Sequence, residues 1–157
     1  MGNALKLAAS LVLCLAAGFL GSLATRPSIP AWYEGLAKPA FNPPNWLFGP
    51  VWTLLYILMG IALFFVWRLG LDTRGVKTAV ILFLVQLALN VLWSYVFFGG
   101  HRLGGALVVI VVLWAFILLT MLRFFPLYRA AGWLLVPYLL WVSFASVLNF
   151  SVWRLNG

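Results

Sequence analysis

Gln86, Asn90 and Ser94 recur every fourth position in an otherwise apolar stretch, with Trp93 and Phe97 beside them. On a helix that spacing makes one polar stripe. Trp52, Tyr56 and Met59 repeat at three or four residues, as do Tyr138, Trp141, Ala145 and Asn149, so each set also shares a side. Amides, hydroxyls and indole N–H groups carry no charge. The chemistry they offer is recognition: flat faces and a few directional bonds that suit a planar aromatic guest. Asn90, with Trp52, Trp93 and Trp141, is read as the heart of a ligand pocket, because bulky indoles are poor agents of tight helix contact. Gln86, Ser94, Ser143 and Ser146 are read as interhelical glue, bonding across helices for about 0.6 kcal/mol each.

Conventional catalysis has nothing to work with. No Ser/His/acid set, metal-ligand cluster or phosphate-binding glycine loop is present, so no metal site is expected and no cofactor is required. The two acids, Glu34 and Asp72, fall between the apolar runs, and no Lys or Arg lies near the centre of any run. An ion-coupled pump would place such groups at membrane depth. His101, beside Arg102 at a run boundary, is read as an interfacial residue rather than a haem-iron ligand. Cys14 is the single cysteine, which excludes an intrachain disulfide and a multi-cysteine metal site.

The elements that must position these groups follow from composition. Of 157 residues, 66% are hydrophobic and 8% charged, with a mean hydropathy of +1.11. Soluble domains have roughly 45–50% apolar and about 25% charged residues, so a soluble globular protein is excluded. The net charge of +8 is spread along the chain rather than clustered, which argues against nucleic acid and for cations at a lipid interface. A span takes about 20 apolar residues, and five runs are found, at about 4–24, 46–69, 78–98, 103–125 and 130–153. The expectation is an all-α, multi-pass, five-transmembrane-helix bundle forming one domain over residues 1–157.

The first run is predicted to stop at Thr25-Arg26-Pro27, where proline disfavours further helix. Lys6 and the small residues Ser22 and Ala24 also suit a secretory signal, but the apolar stretch is long for one, which favours a retained span. Residues 28–45, with Pro30, Pro39, Pro43 and Pro44 among Trp32, Tyr33, Phe41 and nearby Trp46, form the one sizeable loop, longer and more aromatic than a connector needs. The other connections are short, so sequential helices should be antiparallel neighbours. Pro137 is placed to kink the fifth run, and Pro50 sits where a first turn tolerates it. Trp46, Trp67, Trp133 and Trp153, near run ends, suit the interfacial belt, whereas Trp32, Trp52, Trp93, Trp114 and Trp141 do not. The cation distribution favours a cytoplasmic N-terminus. Ala17 with Gly21, and Gly18 with Ser22, suit either a dimer contact or a seat for helix one in its own bundle.

Trp32 to Pro39, followed by Phe41-Asn42-Pro43-Pro44-Asn45-Trp46 and Gly49-Pro50-Val51-Trp52, resembles the first loop and second helix of the TspO/MBR family, the tryptophan-rich sensory proteins and mitochondrial translocator proteins. The likeness continues through Gln86-Leu87-Ala88-Leu89-Asn90 and Phe97-Phe98-Gly99, then Pro137-Tyr138-Leu139, Trp141 and Leu148-Asn149-Phe150. Each fragment is ordinary alone; their order and spacing together are specific. The resemblance implies a retained first helix, a homodimer, and a pocket under the first loop for porphyrins, sterols or synthetic planar ligands. It places pocket residues at Tyr33, Trp52, Asn90, Trp141 and Ala145; Trp93 is added from helical spacing, and Arg26, Lys38 or Arg102 at the loop side are candidates to meet the propionates of a porphyrin, without a spacing signature. It leaves three activities open: a porphyrin receptor or sensor, a light-dependent protoporphyrin-degrading enzyme with Trp52 and Trp141 as redox-active indoles, or a transporter, disfavoured by the lack of buried charge and inverted repeat. The sterol motif of animal members is incomplete here, since Val147, Leu148 and Arg154 remain but Phe150 replaces the expected Tyr. A bacterial porphyrin binder fits better than a protein of the mitochondrial outer membrane.

Overall fold

Backbone N–H and C=O groups cannot be left bare in hydrocarbon, so a chain this apolar resolves into helices. The structure, a computed structural model, describes residues 2–157. Its elements are α1 (Asn3–Ala31), a 3-10 turn (Tyr33–Gly35), α2 (Asn45–Trp67), α3 (Val76–Ser94) continued by a π-helical segment (Tyr95–Gly99), α4 (Leu103–Leu127), α5 (Arg129–Leu134) and α6 (Val136–Asn156). Among the described residues, five stretches are long and apolar enough to cross a membrane, α5 and α6 together forming the fifth. The all-α, five-span bundle expected from sequence is the one observed, and the protein is a multi-pass integral membrane protein. The spans close a ring: α1 packs along α2 and crosses α3, α3 packs on α4, α4 on α6, and α5 rests against α2 and α4.

Two boundaries differ from expectation. The first helix does not stop at Pro27 but runs to Ala31 with Pro27 and Pro30 inside it. Each proline forfeits an intrahelical bond, but contacts with neighbouring elements hold the stretch in place. The Ser28 hydroxyl donates to the Phe98 carbonyl at 2.6 Å, the Trp32 N–H closes the last turn on Ser28 at 2.9 Å, and Ile29 packs on the cluster of Tyr33, Phe97 and Phe98. The loop therefore begins at Trp32, not residue 28. In the fifth span Pro137 does more than kink the helix. The helix is interrupted at Leu135 and restarts with Pro137 in the first turn of α6, where a missing N–H costs nothing.

Small residues seat α1. A Cβ on Gly60 would stand 3.0 Å from the Leu11 Cα, so α1 and α2 touch backbone to backbone there. A Cβ on Gly18 would meet the Tyr56 ring at 2.6 Å, and one on Gly21 the Ser94 hydroxyl at 3.1 Å. Of the two roles open to these residues in the sequence, the structure uses Gly18 and Gly21 as the seat within the bundle.

At the centre of the ring a chain of uncharged hydrogen bonds joins three helices. Tyr56 of α2 donates to Asn90 Oδ1 at 2.7 Å, Asn90 Nδ2 donates to the Tyr138 hydroxyl at 2.7 Å, and Tyr138 donates to Gln86 Oε1 at 2.7 Å. Gln86 Nε2 faces the Met59 sulfur at 3.9 Å. All four polar residues are buried. Each hydroxyl and amide thus finds in a neighbouring helix the partner that lipid cannot supply.

The loop above the ring is tied down as well. The Asn156 side chain pairs with the Ala37 backbone as a neighbouring strand would: the Ala37 N–H donates to Oδ1 at 2.9 Å, and Nδ2 donates to the Ala37 carbonyl at 2.7 Å. Lys38 Nζ donates to the Glu34 and Leu36 carbonyls at 3.1 Å and lies 4.9 Å from the Tyr33 ring centre. Asn45 Nδ2 donates to the Glu34 carboxylate at 3.3 Å.

Asn90→Ala should lower stability by about 2–4 kcal/mol, since it leaves two buried phenols short of a partner and opens a small cavity. Tyr56→Phe should cost about 1 kcal/mol, and the double variant less than the sum of the two, as read by thermal unfolding in detergent micelles. For the loop, Asn156→Ala should speed amide exchange at Ala37 by roughly tenfold, with no change in the spanning helices. Unchanged protection at Ala37 would show that the other ties hold the loop by themselves.

Candidate ligand-binding site

Between α1, α2, the α3 and π-helical segment, and α6 lies a cavity of about 500 Å³. The α1 residues on it, among them Gly18, Ser22, Arg26 and Ile29, recur at three or four, so one face of that helix makes a wall. Because the helix continues past its prolines, Arg26 and Ile29 stand on rigid structure rather than on loop. Gly49 opens room on the α2 side, where a Cβ would meet nothing within 4 Å. Ala145 does the same on α6.

Aromatic rings form the other walls. Trp52 stacks on Tyr56 with centroids 5.7 Å apart and meets Tyr138 edge-on at 6.3 Å. Trp141 stands between Phe48 at 6.0 Å and Phe144 at 5.5 Å. Its indole N–H is closed off from solvent and has no acceptor among the described residues. Trp93 packs on Phe97 at 5.2 Å and spends its N–H on Asn149 Oδ1 at 2.9 Å, while Asn149 Nδ2 donates to the Leu103 carbonyl at 3.0 Å. The π-helical segment gives this corner its shape. An i→i+5 turn holds an extra residue, as the Gly100 N–H bond to the Tyr95 carbonyl at 2.7 Å reflects, and both Phe97 and Phe98 line the cavity.

Tyr33 lies in the roof. It is 3% exposed, its ring is 5.6 Å from that of Phe98, and its hydroxyl donates to Asn42 Oδ1 at 3.0 Å. Burial pushes its pKa up and the bond to Asn42 pulls partly back, so the phenol keeps its proton through neutral pH. Trp32, outside the roof, stacks on His101 with centroids 4.1 Å apart and planes 11° from parallel. His101 takes a left-handed backbone, φ 55°, and does not line the cavity.

Of the six residues singled out from sequence, Tyr33, Trp52, Trp93, Trp141 and Ala145 line this one cavity, and Asn90 does not. Asn90 is 2% exposed and its amide is committed to Tyr56 and Tyr138, so it stands behind Tyr56, one hydrogen bond from the cavity. The stripe of Gln86, Asn90 and Ser94 has two depths: Ser94 reaches the wall, and the amides lie in the packed centre. Trp114, set apart from the belt in the sequence, donates to Ser143 Oγ at 2.8 Å and joins α4 to α6. Trp46, assigned to the belt, is 71% exposed yet also edges the cavity. Of the α1 wall the sequence points only to Arg26; of the three loop-side cations offered for a propionate it lines the cavity, and Lys38 and Arg102 do not, while the spacing of Gly18, Ser22, Arg26 and Ile29 carried the signal for the rest of the wall.

Most polar groups of the wall already have partners within the protein. The hydroxyls of Ser22, Thr25 and Thr53 donate back to their own helices, to the carbonyls of Phe19, Gly21 and Gly49 at 2.7, 3.0 and 2.8 Å. The cavity is thus an aromatic hollow with few groups left to bond a guest, suited to grip by ring faces and shape.

Comparison with known proteins agrees with this architecture. Residues 10–154 match the TspO/MBR family. The chain is 51% identical over 152 residues to the tryptophan-rich protein TspO of Chlorobaculum tepidum, covering 97% of this chain and 96% of that protein. It is 47% identical over 157 residues to the tryptophan-rich protein TspO of Archaeoglobus fulgidus, with 99% of each covered, and 39% identical over 139 residues to the human translocator protein, with 88% and 82% covered. With five spans around an indole-lined cavity and near full-length similarity to these proteins, the chain belongs to the TspO/MBR family.

Proposed function

We propose that this protein is a membrane receptor or sensor for planar hydrophobic ligands, tetrapyrroles foremost, held in the cavity under the first loop. The observation that carries the reading is the convergence of Trp52, Trp93 and Trp141 on one hollow of about 500 Å³, a size usual for small-molecule sites. Ring faces on three helices suit a flat guest, and the scarcity of free polar groups disfavours a small polar one. Relatives bear names such as tryptophan-rich sensory protein, in Cereibacter sphaeroides, and translocator protein, in Homo sapiens. Those names are compatible with binding, and the cavity supplies the chemistry. In this reading Tyr33 and its loop cover the guest, Ala145 leaves space for the ring, and Asn90 acts from behind by holding Tyr56 and Tyr138 against Trp52. Pairing of two copies, suggested by family membership, belongs to the same proposal.

A second reading is favoured by one observation: Trp52 and Trp141 both lie on the wall, where one bound pigment would contact both indoles. Light-driven oxidation of protoporphyrin in air would then proceed beside oxidisable rings, with no general acid or base required.

Protoporphyrin added to the purified protein should quench tryptophan emission saturably, after correction for pigment absorbance. Ala145→Phe should weaken binding by roughly tenfold or more, because added volume in a filled wall is poorly tolerated. Trp52→Phe and Trp141→Phe should each weaken it several-fold, in keeping with about 0.5–1.5 kcal/mol per aromatic contact. Equal affinity in all three variants would place the pigment elsewhere. Illumination under air separates the two readings: breakdown that disappears in the Trp52→Phe/Trp141→Phe double variant, at matched pigment occupancy, favours an enzyme. Equal product from both proteins favours a receptor.

A further inference from the structure

The cavity wall carries a single formal charge. Every other lining residue is apolar, aromatic or a neutral polar group, and most of those neutral groups donate to the protein itself: three of the four Ser and Thr hydroxyls back to their helices, Tyr33 and Tyr56 to Asn42 and Asn90, and Trp93 to Asn149. Arg26 is different. It lies on the cavity face of α1, exposed at the rim. The chain contains only two acids. Glu34 holds the Asn45 amide, and Asp72 lies in the α2–α3 connection, at the opposite end of the spans from the first loop. The other cations near the loop are placed differently. Lys38 is engaged by two loop carbonyls and the Tyr33 ring, and Arg102 precedes α4 away from the cavity lining.

A guanidinium offers five N–H donors in a planar fork that fits a carboxylate with two parallel bonds. At the mouth of an aromatic hollow it would hold an anionic substituent at the rim while the flat body of the guest lies against the indoles. We infer that Arg26 is a specificity-determining residue that makes the cavity select planar ligands bearing a carboxylate over neutral ligands of the same shape. The assignment rests on the pocket reading above and adds the polar end of the ligand to it. The continuation of α1 through Pro27 and Pro30 makes the selection possible, because it fixes the Arg26 backbone relative to Trp52 and Trp141.

The test compares protoporphyrin with its dimethyl ester, which has the same macrocycle and no carboxylate, on the full chain in a phosphate-free nonionic detergent where no lipid headgroup competes. The parent protein should bind the free acid roughly tenfold more tightly than the ester, the lower range for a charge-assisted hydrogen bond, as suits an exposed rim. Arg26→Gln should bring the acid down close to the ester's affinity and change the ester far less, since the ester keeps only neutral carbonyl acceptors. Arg26→Lys should keep part of the preference, since a point charge replaces the fork. Raising salt should weaken the acid in the parent and not in Arg26→Gln. Retained ester binding, with thermal unfolding at the parent's temperature, reports that the variants are folded. Equal affinity for both pigments in the parent, or a preference that survives Arg26→Gln, overturns the assignment and leaves the pocket standing. Binding of neither pigment by the parent overturns the pocket reading and this inference with it.

Discussion

In hydrocarbon a hydroxyl or amide without a partner has no water to fall back on, and the chain formed by Tyr56, Asn90, Tyr138 and Gln86 is the response of this bundle to that constraint. Its three bonds of 2.7 Å link α2, α3 and α6. Apolar packing alone discriminates poorly between helix arrangements in lipid, because lipid tails are as apolar as the side chains they replace. A directional bond does discriminate, since a rotation of any of the three helices leaves a buried donor or acceptor bare. The polar chain therefore sets which face each helix turns inward, and the positions of Trp52 and Trp141 follow, because they lie four residues before Tyr56 and three after Tyr138.

The cavity exists because the helices pack tightly on one side of this centre and loosely on the other. Below, Gly60 lets α1 and α2 touch along their backbones. Above, Trp52, Trp93 and Trp141 hold the helices apart, since rings of that size cannot interdigitate like leucines. The hollow also makes few polar demands: the hydroxyls of Ser22, Thr25 and Thr53 turn back on their own helices, Trp93 and Asn149 satisfy one another, and the Trp141 indole N–H is the buried donor on the wall left without an acceptor among the described residues. A hollow built this way can stand open or accept an apolar guest without breaking protein hydrogen bonds.

Much of this was legible in the sequence. Five runs of about the right length, separated by short polar connections, leave little choice of architecture in a bilayer, and helical spacing puts Trp52, Trp93, Trp141 and Ala145 on inward faces without reference to any structure. Depth was not legible. Spacing says that Asn90 and Ser94 share a side, but whether a residue on that side reaches a cavity or a packed centre depends on what stands opposite, here Tyr56 and Tyr138. The course of α1 past Pro27 and Pro30 was also hidden, because the bond from Ser28 that ties this stretch down reaches Phe98, seventy residues away. The π-helical turn at Tyr95–Gly99 has no local mark either, and the pairing of Asn156 with Ala37 spans 119 positions.

α6 unites the parts. From Tyr138 through Trp141, Ala145, Asn149 and Val152 to Asn156, successive steps of three, four, four, three and four residues keep one face of the helix in view. That face begins in the polar centre with Tyr138, forms a wall of the cavity over the next four residues, and ends in the two bonds that hold the loop at Ala37. A helix anchored at both ends resists displacement more than one anchored at either. Bulk added at Ala145 would have to bend α6 between its anchors, break the Tyr138 bonds, or release the loop. The smallness of Ala145 is therefore a condition on the floor and the roof as much as on the space between them.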